Sequence, residues 1–180
     1  MTTWFTSDTH FGHNNILKFC PDTRKYASAD EMDEVMIAKW NSQAGKDDTV
    51  YILGDVFFHK LDTALKIIRQ LNGKIHLIWG NHDQVIAKNP ELQAEFASVQ
   101  HYLDLNIDGV AVVLFHFPIV EYNKMHRGAV HCYGHVHGTY THPGKAVDVG
   151  IDGPIAKGNG LVTWAQILEY VKDRPILAHH

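Results

Sequence analysis

The chain has 180 residues, 45% hydrophobic and 20% charged, enough for a single domain spanning residues 1–180 with a substantial core. A formal net charge of −4 excludes the general basic footprint of a nucleic-acid-binding surface, and no apolar run approaches the ~20 residues of a bilayer-spanning helix. Two cysteines, Cys20 and Cys132, exclude a disulfide framework and argue for a reducing compartment, with the cytoplasm as the expected location.

The first motif arrives almost at once, so no signal peptide is expected. The unusual number is 14 histidines. His179 and His180 read as a tag remnant or a loose end and are set aside. The other histidines cluster with Gly, Asp and Asn.

In chain order, Trp4-Phe5-Thr6 reads as a strand running into Ser7-Asp8-Thr9-His10. Phe11 to Asn15 reads as a loop, in which His13 and Asn14 either reach a substrate or a supporting position or simply form a loop with an Asx turn, and a short helical turn follows through Ile16, Leu17 and Phe19. Ser28 with Glu31 forms a capping box for an amphipathic helix over 29–43, whose apolar side is Met32, Val35, Met36 and Trp40. The central stretch is Val50-Tyr51-Ile52-Leu53, a strand buried on both faces that ends at Gly54-Asp55. Leu61, Leu65, Ile68 and Leu71 line the next helix, which Asn72-Gly73 ends. Ile75 to Trp79 then runs into Gly80-Asn81-His82-Asp83.

The first half therefore reads βαβαβ, the alternation of α/β packing. In the second half, Tyr102–Asn106 and Val110–Phe115 flank Ile107-Asp108-Gly109 as a hairpin and deliver His116. Val130–Tyr133 delivers Gly134-His135-Val136-His137-Gly138, and Ala146–Val149 reads as one more strand. Thr163 with Gln166 caps a terminal helix through Ile167, Leu168 and Val171. This half reads as mostly antiparallel β with a closing helix.

The groups at strand ends are Asp8, His10, Asp55, Asn81, His82, His116, His135 and His137. Carboxylates mixed with imidazoles suit Mn, Fe, Zn, Co or Ni better than Ca or Mg. These donors exceed the four of a structural zinc and suit two ions that share a bridging carboxylate, for which Asp55 is the central candidate. Such a pair clamps the attacking and leaving oxygens of an in-line displacement, which is phosphate-ester chemistry.

Asp8-x-His10, Gly54-Asp55, Gly80-Asn81-His82-Asp83, His116 and Gly134-His135-Val136-His137 resemble, in order, the five motifs of the calcineurin-like metallophosphoesterases. Val149-Gly150-Ile151-Asp152 resembles that family's closing strand. The resemblance implies an α/β fold, a four-layer α/β/β/α sandwich of two mixed sheets flanked by helices. It implies one metal on Asp8, His10, Asp55 and His137 and another on Asp55, Asn81, His116 and His135, with Mn²⁺ expected first. His82 would assist the leaving group while a metal-bridging hydroxide attacks phosphorus. Asp83 either orients a site histidine or caps the following helix.

The Asp-Arg pair that follows the central motif in the family's Ser/Thr protein phosphatases is absent; Val56-Phe57-Phe58-His59 stands there. The resemblance thus points to a small, uncapped phosphoesterase acting on small phosphodiesters, with no nucleic-acid or membrane partner and an open oligomeric state. The alternatives are a phosphomonoesterase or nucleotidase with the same site, and a binding scaffold that has lost catalysis. Arg24, Lys25, Lys124 and Arg127 are the cations considered for a phosphate grip. Cys20 and Cys132 read as small buried hydrophobes, and His59 as a surface or supporting residue.

Overall fold

The computed structural model describes residues 1–178; His179 and His180 lie outside them. The first sheet is built on three parallel strands, β1 (Thr3–Thr6), β2 (Thr49–Ile52) and β3 (Lys74–Ile78). Between β1 and β2 run the single turn α1 (Ile16–Phe19) and the helix α2 (Ala29–Gln43); α3 (Leu61–Ile68) joins β2 to β3. Two short helices, α4 (Gln84–Ala87) and α5 (Pro90–Gln93), lead to a fourth parallel strand, β4 (Ser98–Gln100). Four strands form the second sheet in the order β5 (Tyr102–Ile107), β6 (Val110–Phe115), β7 (Val130–Tyr133), β8 (Ala146–Asp148). The chain then returns to the first sheet as β9 (Val162–Thr163), antiparallel to β1, and closes with α6 (Trp164–Val171).

The layers follow from which side chains are apolar. Met32, Met36 and Trp40 of α2 and Ala64, Ile67 and Ile68 of α3 pack with Val50, Ile52, Ile75 and Leu77 on one face of the first sheet. Phe5, Leu53 and Ile78 face the other way and pack with Val112, Leu114, Val130, Cys132 and Val147 of the second sheet and Trp164, Ile167 and Val171 of α6. The outer face of the second sheet is covered by Tyr122, Met125 and Ala129, in a segment whose only regular element is the 3₁₀ turn Met125–Arg127. The α/β fold of two mixed sheets flanked by helices is thus the observed one.

Several local expectations need correction. Only β5 and β6 are antiparallel in the second sheet; β6, β7 and β8 run parallel, because each carries a motif at its C-terminal end and those ends must meet at one edge. The Ser28 box is half formed: its hydroxyl accepts from Glu31 N, but the Glu31 carboxylate accepts from Ala27 N. The box at Thr163 and Gln166 is complete. The α3 helix stops at Ile68, before Asn72-Gly73. β2 is buried at Val50 and Ile52 but only in part at Tyr51, which stacks on Phe5. Segment 149–152 is a turn after β8 rather than a strand; its Ile151 N–H donates to Ser7 O at 3.1 Å. The hairpin after β5 turns on Asp108 and Gly109, both at positive φ.

Candidate metal centre

The motif loops continue the strand pairing past the strands themselves. Asp8 N–H donates to Gly54 O at 3.0 Å and His10 N–H to Asp55 O at 3.1 Å, so the first two motifs lie side by side. Five of the seven candidate ligands adopt left-handed backbone: Asp8, His10, Asp55, His135 and His137, at φ between 45° and 68°. Such residues cost about 1–3 kcal/mol each and persist where the surroundings over-determine them, which is typical of functional sites. Gly80 and Gly134 are required by contact: a Cβ on Gly80 would strike the Asp55 carboxylate, and one on Gly134 would strike Ser7 and the Asp8 carboxylate.

Two donor clusters result. Asp8, His10 and His137 present ligand atoms within 4.8 Å of one another, and so do Asp55, His116 and His135. Asp8 Oδ1 stands 3.9 Å from both His10 Nε2 and His137 Nε2. Asp55 Oδ2 stands 3.8 Å from His10 Nε2 on one side and 3.6 Å from His116 Nε2 on the other, which puts one carboxylate oxygen between the clusters. Asn81 Oδ1 lies 3.0 Å from His116 Nε2 and completes the second set. Asp8 Oδ1 and His10 Nε2 are buried with no hydrogen-bond partner, which is costly unless a cation fills the gap. Two candidate ligand groups of mixed carboxylate and imidazole donors therefore stand side by side, with the Asp55 carboxylate between them.

Outer contacts set the imidazoles. His116 Nδ1–H donates to Leu53 O at 2.6 Å and His137 Nδ1–H to Asp152 Oδ2 at 2.7 Å, leaving Nε2 of each facing inward. His10 and His13 share an Nδ1 to Nδ1 hydrogen bond of 2.9 Å. Burial opposes charge on Asp8 and Asp55, but the flanking imidazoles outweigh it and hold both carboxyls below their usual range. Burial likewise opposes charge on His137, yet Asp152, helped by Cys20 and Asp8, raises it to about 10. His116 is raised in the same way by Asp55. Burial and the neighbouring His10 and His82 lower His13 to about 4.

The cluster opens onto a cleft of about 750 Å³ lined by His10, His13, His82, His135 and His137 with Ile16, Phe19, Cys20, Pro21 and Val136 among others. His82 is exposed there, its ring 6.1 Å from that of His10, while its backbone N–H donates to Asp55 Oδ1 at 2.7 Å.

Other expectations resolve differently. Asp83 occupies the N-cap position of α4 without a side-chain cap hydrogen bond, and its carboxylate is directed to backbone rather than to a histidine among the described residues. Its buried carboxylate accepts from the backbone N–H groups of Asp55, Val56 and Gly80, tying the second motif to the third, and burial pushes it up to about 6. Arg24, considered for a phosphate grip, is 1% exposed and does not line the cleft. Its guanidinium pairs with both oxygens of Asp152 and donates to the Asp8 and Thr9 carbonyls at 2.6 and 2.9 Å, so every donor is directed inward. Arg127 lies beside a separate depression with Asn106, Gly109 and Val110, at the end of β6 opposite His116. Asn14 is exposed, and its side-chain oxygen accepts from Ala29 N at 3.4 Å.

His59 pairs with Asp33, which also accepts from Gly12 N. Cys132 is core, as expected, whereas the Cys20 thiol sits with His137 and Asp152 at the cleft. Sequence reasoning missed Asp152 and Asp148 as supports of the fifth motif. Asp148 accepts from Gly138 N and Gly150 N, and burial pushes its carboxyl up to about 6. Asp152 ends the Val149-Gly150-Ile151-Asp152 stretch noted above, which was the one signal available for it.

Fold and site together define a two-sheet α/β protein whose strand ends converge on a metal-type donor cluster. A family model described as calcineurin-like phosphoesterase matches residues 1–179, and the chain belongs to that family. It is 32% identical over 139 residues to the uncharacterized protein MJ1445 of Methanocaldococcus jannaschii, covering 76% of this chain and 70% of that one. The gene 66 protein of Mycobacterium phage D29 is 30% identical over 201 residues, covering 94% and 96% of the two chains. Among solved structures, the protein of unknown function AQ665 from Aquifex aeolicus superposes with a TM-score of 0.71 over 94% of this chain and 99% of that one, at 23% identity, and shares the fold.

Proposed function

We propose that this chain is a dinuclear metal-dependent phosphodiesterase acting on small substrates, with Mn²⁺ as the preferred ion. The observation that carries the reading is the position of Asp55 Oδ2, under 4 Å from an imidazole of each donor cluster. Asp8, His10, Asp55 and His137 would hold one ion, and Asp55, Asn81, His116 and His135 the other. The ions would supply Lewis acidity at the phosphoryl oxygens and an acidified water as nucleophile. His82, exposed in the cleft, would hand a proton to the departing oxygen. Asp83 would act through the backbone it clamps, keeping Asp55 in place.

The cleft lining supports a diester over a monoester. Among the described residues it contains no Lys or Arg, and the donors of Arg24 beneath it go to Asp152 and to the Asp8 and Thr9 carbonyls. A monoester carries the larger negative charge and would favour an added cation there. We further infer that the chain acts as one domain, since the two sheets share a single apolar interface. A cytoplasmic setting is supported by Cys20 and Cys132, both free thiols. No helix among the described residues is long and apolar enough to cross a membrane.

The test is turnover of bis(p-nitrophenyl) phosphate with Mn²⁺. Chelation and Asp55→Ala are expected to lower kcat/KM on the order of a thousandfold. Undiminished turnover would refute the proposal, and faster hydrolysis of p-nitrophenyl phosphate than of the diester would convert the assignment to a phosphomonoesterase.

A further inference from the structure

A run of rings leads outward from the metal centre. The His10 and Phe58 centroids are 4.8 Å apart, Phe58 stacks on His13 at 3.9 Å with the planes 7° apart, and the Phe19 ring stands edge-on to His13 at 6.2 Å. Phe19 is 70% exposed at the C-terminus of α1, yet it lines the same cleft as His10, His82 and His137, next to Ile16 and Pro21. The core anchor of that turn is Ile16, so the fold gives no packing reason for a large ring at position 19. The cleft volume of about 750 Å³ lies in the range that encloses whole small ligands (roughly 300–1,000 Å³), well beyond the reacting phosphate. Its lining carries the exposed Asp22 and, among the described residues, no Lys or Arg.

We propose that Phe19 and His13, with Ile16 and Pro21, form a subsite for a flat, uncharged aromatic arm of the substrate, of nucleobase size. The inference rests on the phosphodiesterase reading above and adds to it the chemical class of one ester arm. A ring laid against Phe19 gains stacking without hydrogen-bond readout. An arm bearing further phosphates would meet Asp22 with no cation to offset it, so single-charge diesters with one aromatic arm are selected over polyanions.

The experiment compares thymidine 5′-methyl phosphate with the abasic 1,2-dideoxyribose 5-methyl phosphate, which have the same charge and the same methoxide leaving group and differ only in the base. Hydrolysis by the manganese-loaded full chain is followed by chromatography, and binding of each ester by calorimetry. The parent is expected to favour the thymidine ester about tenfold in kcat/KM and in affinity. Phe19→Ala should bring that ester to within about twofold of the abasic one, while Phe19→Trp keeps the preference. Equal treatment of the two esters by the parent, or an equal loss for both in Phe19→Ala, overturns the subsite. A parent that binds both esters but hydrolyses neither of them, nor bis(p-nitrophenyl) phosphate, overturns the phosphodiesterase reading instead. The calorimetric comparison then decides the subsite alone: tenfold tighter binding of the thymidine ester, lost in Phe19→Ala, upholds it, and equal affinities refute it.

Discussion

The two halves of the centre are built differently. Asp8 and His10 are buried, and the half they form with His137 rests on a chain of hydrogen bonds from Arg24 through Asp152 to His137 Nδ1. In the other half His116 is buried and anchored at Nδ1 by the Leu53 carbonyl, but Asn81 and His135 are exposed. A donor set locked by an ion network is preorganised, whereas an exposed set must be ordered when an ion arrives. The comparison teaches that a shared carboxylate does not make the halves equal: the Arg24 side should take its ion first and hold it more tightly.

The largest effect should come from removing that support. Arg24→Met would leave Asp152 buried without its guanidinium partner, with only His137 and Thr23 among the described residues still bonded to it, and is expected to destabilise the fold by about 3 kcal/mol. His135→Ala, at an exposed position, should cost less than about 0.5 kcal/mol while lowering affinity for the second ion. Urea unfolding and metal titration of the two variants decide it; equal losses of stability would erase the distinction between the halves.

The next effect concerns protons. Without metal, His137 is raised to about 10, chiefly by Asp152 against the opposing effect of burial. A raised imidazole stabilises the metal-free fold fully below its ordinary value of about 6.5, and that contribution is lost as pH rises through about 10. Ion binding to the Asp8 half must displace this proton, so its affinity should rise with pH by up to about tenfold per unit between pH 7 and 9. Calorimetry in buffers of different ionisation enthalpy would read the proton released. A pH-independent affinity would show that His137 stays outside the ion's shell.

The smallest effect is a control. Arg127 lies at the far end of β6 from His116, a separation of roughly 20 Å along the six-residue strand. Arg127→Ala should therefore leave kcat/KM for an aryl phosphodiester within about twofold of the parent. A larger loss would return Arg127 to the substrate path.

The candidate ligands were legible because each sits where an apolar run stops at Gly, Asp, Asn or His, a pattern that depends on local chemistry alone. The same holds for Thr163 with Gln166, whose box is complete, and for the turn at Asp108-Gly109. Arg24, considered for a phosphate grip, and Asp83, considered for a site histidine or a helix cap, differ from expectation for a common reason: a charged residue near a motif looks available to its surroundings until its burial and partners are known. The parallel pairing of β6, β7 and β8 was also hidden, since alternating apolar residues do not encode strand direction.

By itself, then, the sequence determined the residue types of the centre, the family they belong to and the order in which strands deliver them, because hydrophobic period and turn chemistry act over a few residues. Only the tertiary structure decided that Asp152 stands under His137, that Arg24 joins the Asp8 carbonyl to that carboxylate, and that Asp83 clamps the backbone beside Asp55. These contacts join residues from 15 to 128 positions apart. Their partners are chosen by burial, which requires a buried charge to be matched wherever the fold happens to bring its counterpart.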